Sequence, residues 1–306
     1  MKKLIPLALA LGVAASAPAI VIRHDRPVAS YNAIGSDPLF NSSGFFAGVS
    51  SSSAFGSGVM VSSTKIVTAA HLFDANSDGA LDFSANAIGF GVGNNTTTVG
   101  ANIASIAINP QWASTNGRPF ADWAVVTHPP ALTGQTYANV STAAPRGWMG
   151  AMVGYGAQGL GTTGWGNSNI PGANDRLGAY NMIDTIGTSG FLNGSILTDF
   201  DSPTSAASSS MGSSTPLDLE GTTAPGDSGS GLFGNFGGNW FLVGTLNGGS
   251  TTNSVYSDVS YYSALFGQTQ NQNFLISNGV SVVPEPMTMT VLALAGLALA
   301  RRRRKA

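Results

Sequence analysis

Residues 224–231 read Ala-Pro-Gly-Asp-Ser-Gly-Ser-Gly and form the most informative stretch of this 306-residue chain. A serine hydroxyl is a poor nucleophile until a base removes its proton and nearby amides stabilise the oxyanion that forms. The glycines around Ser228 permit a turn tight enough to present the hydroxyl and to aim backbone N–H groups at one point. The stretch therefore predicts a nucleophilic serine, which requires a base and an acid elsewhere in the chain.

A candidate base and a candidate acid both lie upstream, each beside an apolar run. His71 ends the segment Thr-Ala-Ala-His at 68–71, and Asp122 begins the segment Asp-Trp-Ala-Val-Val at 122–126. Each motif alone also occurs in ordinary structural turns. The chain has only three histidines, however, and one of them falls in this motif and in the order His, Asp, Ser. The joint occurrence favours a catalytic triad.

These motifs resemble those of the trypsin/chymotrypsin family of serine peptidases, whose triad runs in this chain order. The resemblance implies an all-β fold of two six-stranded antiparallel β-barrels with a short C-terminal helix. It implies a triad of His71, Asp122 and Ser228 in the cleft between the barrels. The backbone N–H groups of Gly226 and Ser228 would form the oxyanion hole.

Short β-branched runs separated by Gly, Asn and Ser fill most of the chain, which is typical of a barrel or a sandwich. We expect a peptidase domain at 20–272, with a first barrel at about 45–135 and a second at about 146–266. The terminal helix is expected to begin within residues 261–266. Residues 273–283 are expected to form a linker.

The family pattern also assigns the substrate-binding residues. Thr222 would form the base of the specificity pocket, Gly249 and Ser254 its walls, and Asn247 would lie on the strand that pairs with substrate. Because no acid stands at the base, we expect a preference for apolar or small neutral side chains. Asn247 replaces the usual serine and Gly248 the usual aromatic residue, so a catalytically silent surface or matrix protein is one alternative. An acyl ester hydrolase with the same triad is another.

Both ends of the chain resemble processing signals. Residues 1–19 combine a basic start, an apolar run and a small-residue cleavage site, as in a signal peptide removed by signal peptidase. Residues 284–306 begin with Pro-Glu-Pro, continue through an apolar run and end in a basic cluster. This order resembles the PEP-CTERM sorting signal of Gram-negative bacteria. It implies a C-terminal transmembrane helix, transient membrane association, processing by an exosortase, and release from the cell envelope to the cell surface or the medium. A plain membrane anchor is the alternative.

Cleavage after Ala19 would expose Ile20 as the mature N-terminus. In the trypsin family, an Ile-Val terminus inserts beside the aspartate that precedes the catalytic serine, which is Asp227 here. Ile22-Arg23 replaces the small glycines usual at that point. That replacement favours the alternative that Ile20 merely starts a flexible segment.

Composition excludes one class of partner. Without the two end segments the chain keeps six Lys and Arg against fourteen Asp and Glu, a net charge of about −8. Such an acidic surface repels phosphate backbones, so we expect protein or peptide substrates and no nucleic acid. The chain has no cysteine, so disulfides contribute nothing to its stability.

Residues 74–82 match the first nine positions of an EF-hand-type loop. Asp74, Asn76 and Asp78 are therefore candidate calcium ligands, although the family chemistry requires no cofactor. The bidentate glutamate expected at position twelve is absent, since Ala85 stands there. An Asx-rich turn without a metal is the alternative. Thermal stability that EDTA leaves unchanged would refute calcium binding.

Overall fold

The computed structural model describes residues 20–48, 54–94, 100–130, 132, 134–166, 170–250 and 253–284. The predicted signal peptide at 1–19 and all but the first residue of the predicted sorting signal at 284–306 lie outside these ranges. Within the described ranges, no helix is long and apolar enough to cross a bilayer.

Short strands dominate the described part of the chain. In order they are β1 (Val21–Ile22), β2 (Ser43–Gly48), β3 (Ala54–Met60), β4 (Lys65–Thr68), β5 (Ile88–Val92), β6 (Ala101–Asn102), β7 (Ser105–Ile108), β8 (Ala124–Thr127), β9 (Val140–Ser141), β10 (Met149–Gly154), β11 (Gly159–Leu160), β12 (Gly164–Trp165), β13 (Leu177–Met182), β14 (Thr185–Ile186), β15 (Ser195–Asp199), β16 (Gly221–Thr222), β17 (Gly231–Phe236), β18 (Asn239–Gly249), β19 (Val259–Ala264) and β20 (Val282–Val283). The α-helices are α1 (Val28–Gly35), α2 (Pro110–Ser114) and α3 (Thr269–Ser277), and single turns of 3-10 helix lie at Pro38–Phe40, Ala70–Leu72, Ala85–Ala87, Pro119–Ala121, Gly190–Leu192 and Ala206–Ser208.

The first sheet curls around an aromatic core. Its strand order is β6-β5-β2-β3-β4-β8-β7, and every neighbouring pair is antiparallel. Phe46 is fully buried, with its ring centroid 4.9 Å from that of Phe90 and 5.4 Å from that of Phe73. A Cβ at Gly58 would stand 2.8 Å from Phe46 Cε2, so only glycine lets β3 pass this ring. Burial of these aromatic rings against a glycine backbone thus allows the sheet to curl.

The second sheet is also curled, and it lies beside the first. Its order is β13-β10-β17-β18-β19-β15-β14, again antiparallel, and β9 adds to β18 and β20 to β9 in parallel. The expected all-β architecture is confirmed, and in place of the two predicted barrels the structure has two curled sheets. The expected six strands in each are wrong, because two-residue strands extend the edges to seven and nine among the described residues.

A small third sheet holds the N-terminal segment. Its order is β12-β11-β1-β16, with β1 parallel to β11 and antiparallel to β16. Ile20 and Val21 are fully buried and Ile22 is 1% exposed. The expectation of a flexible segment at Ile20 is therefore wrong, because three successive apolar side chains are removed from water there.

The C-terminal segment is also part of the core. Phe274 and Leu275 of α3 and Val280 pack in the cluster that joins the two sheets, and it also holds Trp123 and Phe233. The expected linker at 273–283 is therefore wrong. The helix does not begin within 261–266 either, because those residues largely belong to β19 and α3 starts at Thr269.

Candidate active site

His71 and Asp122 are brought together by the pairing of β4 with β8. The two strands are antiparallel, with Thr68 opposite Ala124, so the end of β4 lies beside the start of β8. A 3-10 turn at Ala70–Leu72 follows β4 and carries His71, while another at Pro119–Ala121 delivers Asp122 to β8. The register of one strand pair therefore fixes the distance between the two side chains.

The Asp122 carboxylate accepts two hydrogen bonds from His71. The backbone N–H of His71 donates to Oδ1 at 2.8 Å, and the ring Nδ1 lies 2.6 Å from Oδ2. Since a carboxylate accepts, Nδ1 carries the proton, and Nε2 of the neutral ring keeps a lone pair. Asp122 is fully buried, whereas 26% of the His71 side chain is exposed. The ring is thus held at Nδ1, while part of the side chain stays exposed.

The pKa of His71 lies above its ordinary value of 6.5. Burial of the ring lowers this pKa, but the charge of Asp122 and the hydrogen bond to it together raise it by more. Asp122 therefore stabilises the imidazolium that forms when the ring takes up a proton.

Asn247 completes the hydrogen bonding of Asp122. Its Nδ2 donates to Oδ2, the oxygen that also accepts from His71 Nδ1. The sequence predicted that Asn247 contacts substrate; the structure places its amide against the buried carboxylate. An amide N–H can only donate to this oxygen, so Asn247 satisfies part of the hydrogen-bonding capacity of the buried carboxylate.

The turn that carries Ser228 docks against the first sheet. The carbonyl oxygen of Ser228 accepts from the N–H of Ser57 at 2.7 Å. Gly229 has φ +80°, and a Cβ there would collide with Thr68 Oγ1 and lie 3.1 Å from Ala69 N. The turn therefore rests on the end of β4, three residues before His71. Glycine is required because the two backbones approach so closely.

Ser228 is partly exposed, and among the described residues no hydrogen bond joins its hydroxyl to His71 Nε2. In unliganded enzymes, such a bond is often long and tightens when substrate binds. Gly226, two residues earlier, has φ +97°, and a Cβ there would stand 2.8 Å from Gly156 Cα. The turn around Ser228 thus depends on glycine at two positions.

A second buried carboxylate, Asp227, holds the same turn from within. Its Oδ1 accepts from the N–H of Gly156 at 2.8 Å and its Oδ2 from the N–H of Ala224 at 2.9 Å. A Cβ at Gly154 would collide with Oδ1, and a Cβ at Gly156 would stand 2.5 Å from Asp227 N, so glycine is required on both sides of Tyr155. Burial raises the pKa of Asp227 to about 7 against the opposing effect of these amides.

Ile20 lies at this carboxylate. Its backbone amide is among the groups whose hydrogen bonds lower the pKa of Asp227. Ile20 is fully buried and has φ +67°, a strained conformation for a β-branched residue. The first described residue of the chain therefore meets the residue that precedes Ser228.

Of the predicted specificity residues, Thr222 and Gly249 both lie next to Ser260, whereas Ser254 lies on a separate segment. Thr222 is 1% exposed in β16, and its hydroxyl lies 2.9 Å from that of Ser260. Gly249 is exposed and stands opposite Ser260 in the pairing of β18 with β19. Ser254, by contrast, is buried on the segment before β19 with φ +54°. Ser260, which the sequence interpretation missed, is the residue that joins Thr222 and Gly249.

Tyr261 occupies the space beside Gly248. The two residues are paired across β18 and β19, and a Cβ at Gly248 would stand 2.9 Å from Tyr261 Oη. Glycine at position 248 therefore leaves room for the Tyr261 side chain.

The candidate calcium loop is closed by its own backbone. Asp74 accepts the N–H groups of Asp78 at 3.1 Å and Gly79 at 2.8 Å, and Asn76 Oδ1 accepts that of Asp78 at 3.1 Å. Among the described residues, no three or more His, Cys, Asp or Glu side chains are arranged to hold a metal ion. Calcium binding by Asp74, Asn76 and Asp78 stays a prediction.

A family model described as Trypsin matches residues 34–265, a span that includes His71, Asp122 and Ser228. No curated protein matches the chain.

Replacing Asp122 with asparagine is expected to lower the pKa of His71. The substitution removes the negative charge, while burial still disfavours the imidazolium. NMR titration of the imidazole resonances measures the change, and Asp82→Asn, an exposed charge loss, is the control. A His71 titration that is the same in folded Asp122→Asn and in the unsubstituted protein would contradict the assigned pairing.

Proposed function

The chain belongs to the trypsin family, and we propose that it is an exported serine endopeptidase that hydrolyses peptide bonds through His71, Asp122 and Ser228. The observation that carries this proposal is the hydrogen bond of 2.6 Å between His71 Nδ1 and the buried Asp122 carboxylate. It leaves Nε2 as the proton acceptor of His71, whose side chain is partly exposed.

In the proposed reaction, Ser228 Oγ attacks the carbonyl carbon of the scissile peptide as His71 Nε2 takes the hydroxyl proton. The tetrahedral intermediate collapses to an acyl-enzyme when His71 gives that proton to the leaving amine. A water molecule then attacks the ester, with His71 again as the base, and the carboxylic acid product leaves Ser228. Asp122 keeps the ring in the required tautomer and stabilises the imidazolium.

The N–H groups of Gly226 and Ser228 would stabilise the oxyanion. Two observations support this assignment: the left-handed conformation of Gly226, with φ +97°, and the amide-bound carboxylate of Asp227 between the two residues. A turn fixed in advance stabilises developing negative charge without reorganisation.

Ser228→Ala is expected to abolish labelling by a fluorophosphonate probe and to lower kcat/KM for casein peptides by at least about 10³-fold. Ser230→Ala is the control, because that hydroxyl is buried without a partner two residues away. Wild-type protein that fails to label would favour the catalytically silent alternative. Turnover of short esters without cleavage of peptides would favour the acyl ester hydrolase.

We extend the proposal to activation: removal of residues 1–19 would itself complete the active state. The new α-amino group of Ile20 would arise beside Asp227, which its amide already meets. A buried ammonium paired with a buried carboxylate would replace a neutral amide contact, and would fix the turn that carries Gly226 and Ser228.

Protein that begins at Ile20 is expected to lose less thermal stability between pH 5 and pH 7 than a form that retains Ala19. With the pKa of Asp227 raised from 3.8 to about 7, the unfolded state ionises first, so stability falls as pH rises between these values. A free Ile20 ammonium offsets this loss. Asp227→Asn should remove the difference, and identical melting curves of the two forms at both pH values would refute the pairing.

Export and sorting rest on the end segments alone. We propose that signal peptidase removes 1–19 and that an exosortase-type enzyme removes the segment beyond Pro-Glu-Pro at 284–286, after which the protein leaves the envelope. Intact mass of the protein released by a Gram-negative host with an exosortase should give a chain that begins at Ile20 and lacks the basic tail. Full-length protein in the cytosol of that host would contradict both steps.

A further inference from the structure

The backbone that delivers Asp122 is held by buried polar side chains from distant elements. The hydroxyl of Ser263, in β19, is shared between the carbonyl oxygens of Pro119 and, at 3.2 Å, Asp122. Ser263 is fully buried, so no water competes for these carbonyls. Ser263 therefore binds the carbonyl groups at both ends of residues 119–122 from β19, the strand that pairs with β18.

Two asparagines, Asn109 and Asn271, donate hydrogen bonds to the two carbonyl groups in between. Asn271, in α3, donates from Nδ2 to the carbonyl oxygens of Phe120 at 2.7 Å and Ala264 at 3.2 Å. Its Oδ1 accepts from Asn109 Nδ2 at 2.8 Å, and the same Nδ2 donates to the carbonyl oxygen of Ala121 at 3.1 Å. Every carbonyl from 119 to 122 thus accepts a side-chain hydrogen bond.

Every polar group of these two asparagine side chains is hydrogen-bonded. Asn271 is fully buried and Asn109 is 1% exposed, and each uses both amide hydrogens and its oxygen. The oxygen of Asn109 accepts from the N–H of Gln111 and so caps the start of α2. Buried amides satisfied in this way hold one arrangement, because any displacement leaves a polar group without a partner.

The same pair also supports the surroundings of His71. The helix capped by Asn109 carries Trp112, whose ring centroid is 6.5 Å from that of His71. The indole N–H of Trp112 donates to the carbonyl oxygen of Asp74 at 3.0 Å. Asn109 therefore links the segment before Asp122 to the helix that packs beside the His71 ring.

We propose that Asn271 is a positioning residue for Asp122, acting from the C-terminal helix through the backbone of residues 119–122. Asn271 does not touch substrate. Its effect passes through the contact of 2.6 Å between Asp122 and His71, which a small shift of the 3-10 turn would lengthen. This inference rests on the proposed function, since it requires Asp122 to act on His71.

A purely structural role for Asn271, anchoring α3 to the sheets, makes a different prediction. Anchoring would affect thermal stability and leave the pKa of His71 alone. Positioning would affect that pKa as well, because a displaced carboxylate raises it less. The acid limb of the pH profile of kcat/KM reports this pKa in the free enzyme.

Asn271→Ala in the mature protein is therefore expected to lower kcat about 10- to 100-fold with little change in KM, and to move the acid limb to lower pH. Leu275→Ala is the control for stability, since that side chain is buried in the core on the same helix. It should lower the melting temperature and keep the wild-type acid limb. Asn273→Ala, at an exposed position of α3, should change neither.

Asn109→Ser tests the inference even if Asn271→Ala does not fold. Serine retains a helix cap but loses the amide that bonds Ala121 and Asn271. We expect a lower kcat and an acid limb displaced in the same direction. A wild-type kcat and acid limb in the folded variants, with Ser228→Ala inactive, would overturn the positioning role alone. Peptidase activity that survives Ser228→Ala would overturn the proposed function itself.

Discussion

The carboxylate of Asp122 is fully buried, and burying a carboxylate is unfavourable unless hydrogen bonds replace its water. Here the replacements come from the N–H and ring of His71 and from the amide of Asn247. His71 follows β4 of the first sheet, whereas Asn247 lies in β18 of the second. Satisfying one buried charge therefore requires both sheets to meet at this point, and the candidate site forms where they meet.

The two buried acids of the site differ because their neighbours differ. Asp122 faces an imidazole that can become positively charged, so the pair favours a proton on His71. Asp227 faces backbone amides, which donate hydrogen bonds but carry no net charge, and burial raises its pKa to about 7. The first arrangement suits proton transfer. The second holds the turn before Ser228 and would gain from a positive charge at Ile20.

Short motifs predicted His71, Asp122 and Ser228 as candidates because each motif requires particular neighbours within a few residues, and the structure brings His71 and Asp122 together. The long-range contacts of the site could not be predicted in this way. Ser260 was missed because the pocket wall was predicted at Ser254, whereas the strand that pairs with β18 begins at Val259. A register shift between Leu246 and Gly248 adds to the difficulty, since spacing alone cannot locate a bulge.

The ends of the described chain contain the larger errors. Polar residues around Phe274 and Leu275 suggested a linker, yet these two side chains and Val280 are buried against both sheets. Asn271 gave no signal, because an asparagine in the polar segment 269–273 has no distinguishing neighbours until the carbonyls of 119–122 are brought to it. Tertiary contacts outweigh local composition at such positions.

The most direct measurement is a crystal structure of the mature protein after reaction with a fluorophosphonate. We expect phosphorus bonded to Ser228 Oγ, its oxygen within hydrogen-bond distance of the N–H groups of Gly226 and Ser228, and His71 Nε2 beside Oγ. The His71 ring would still bond Asp122 through Nδ1. A phosphonyl group on another residue, or a His71 ring too far from Ser228 to exchange a proton, would contradict it.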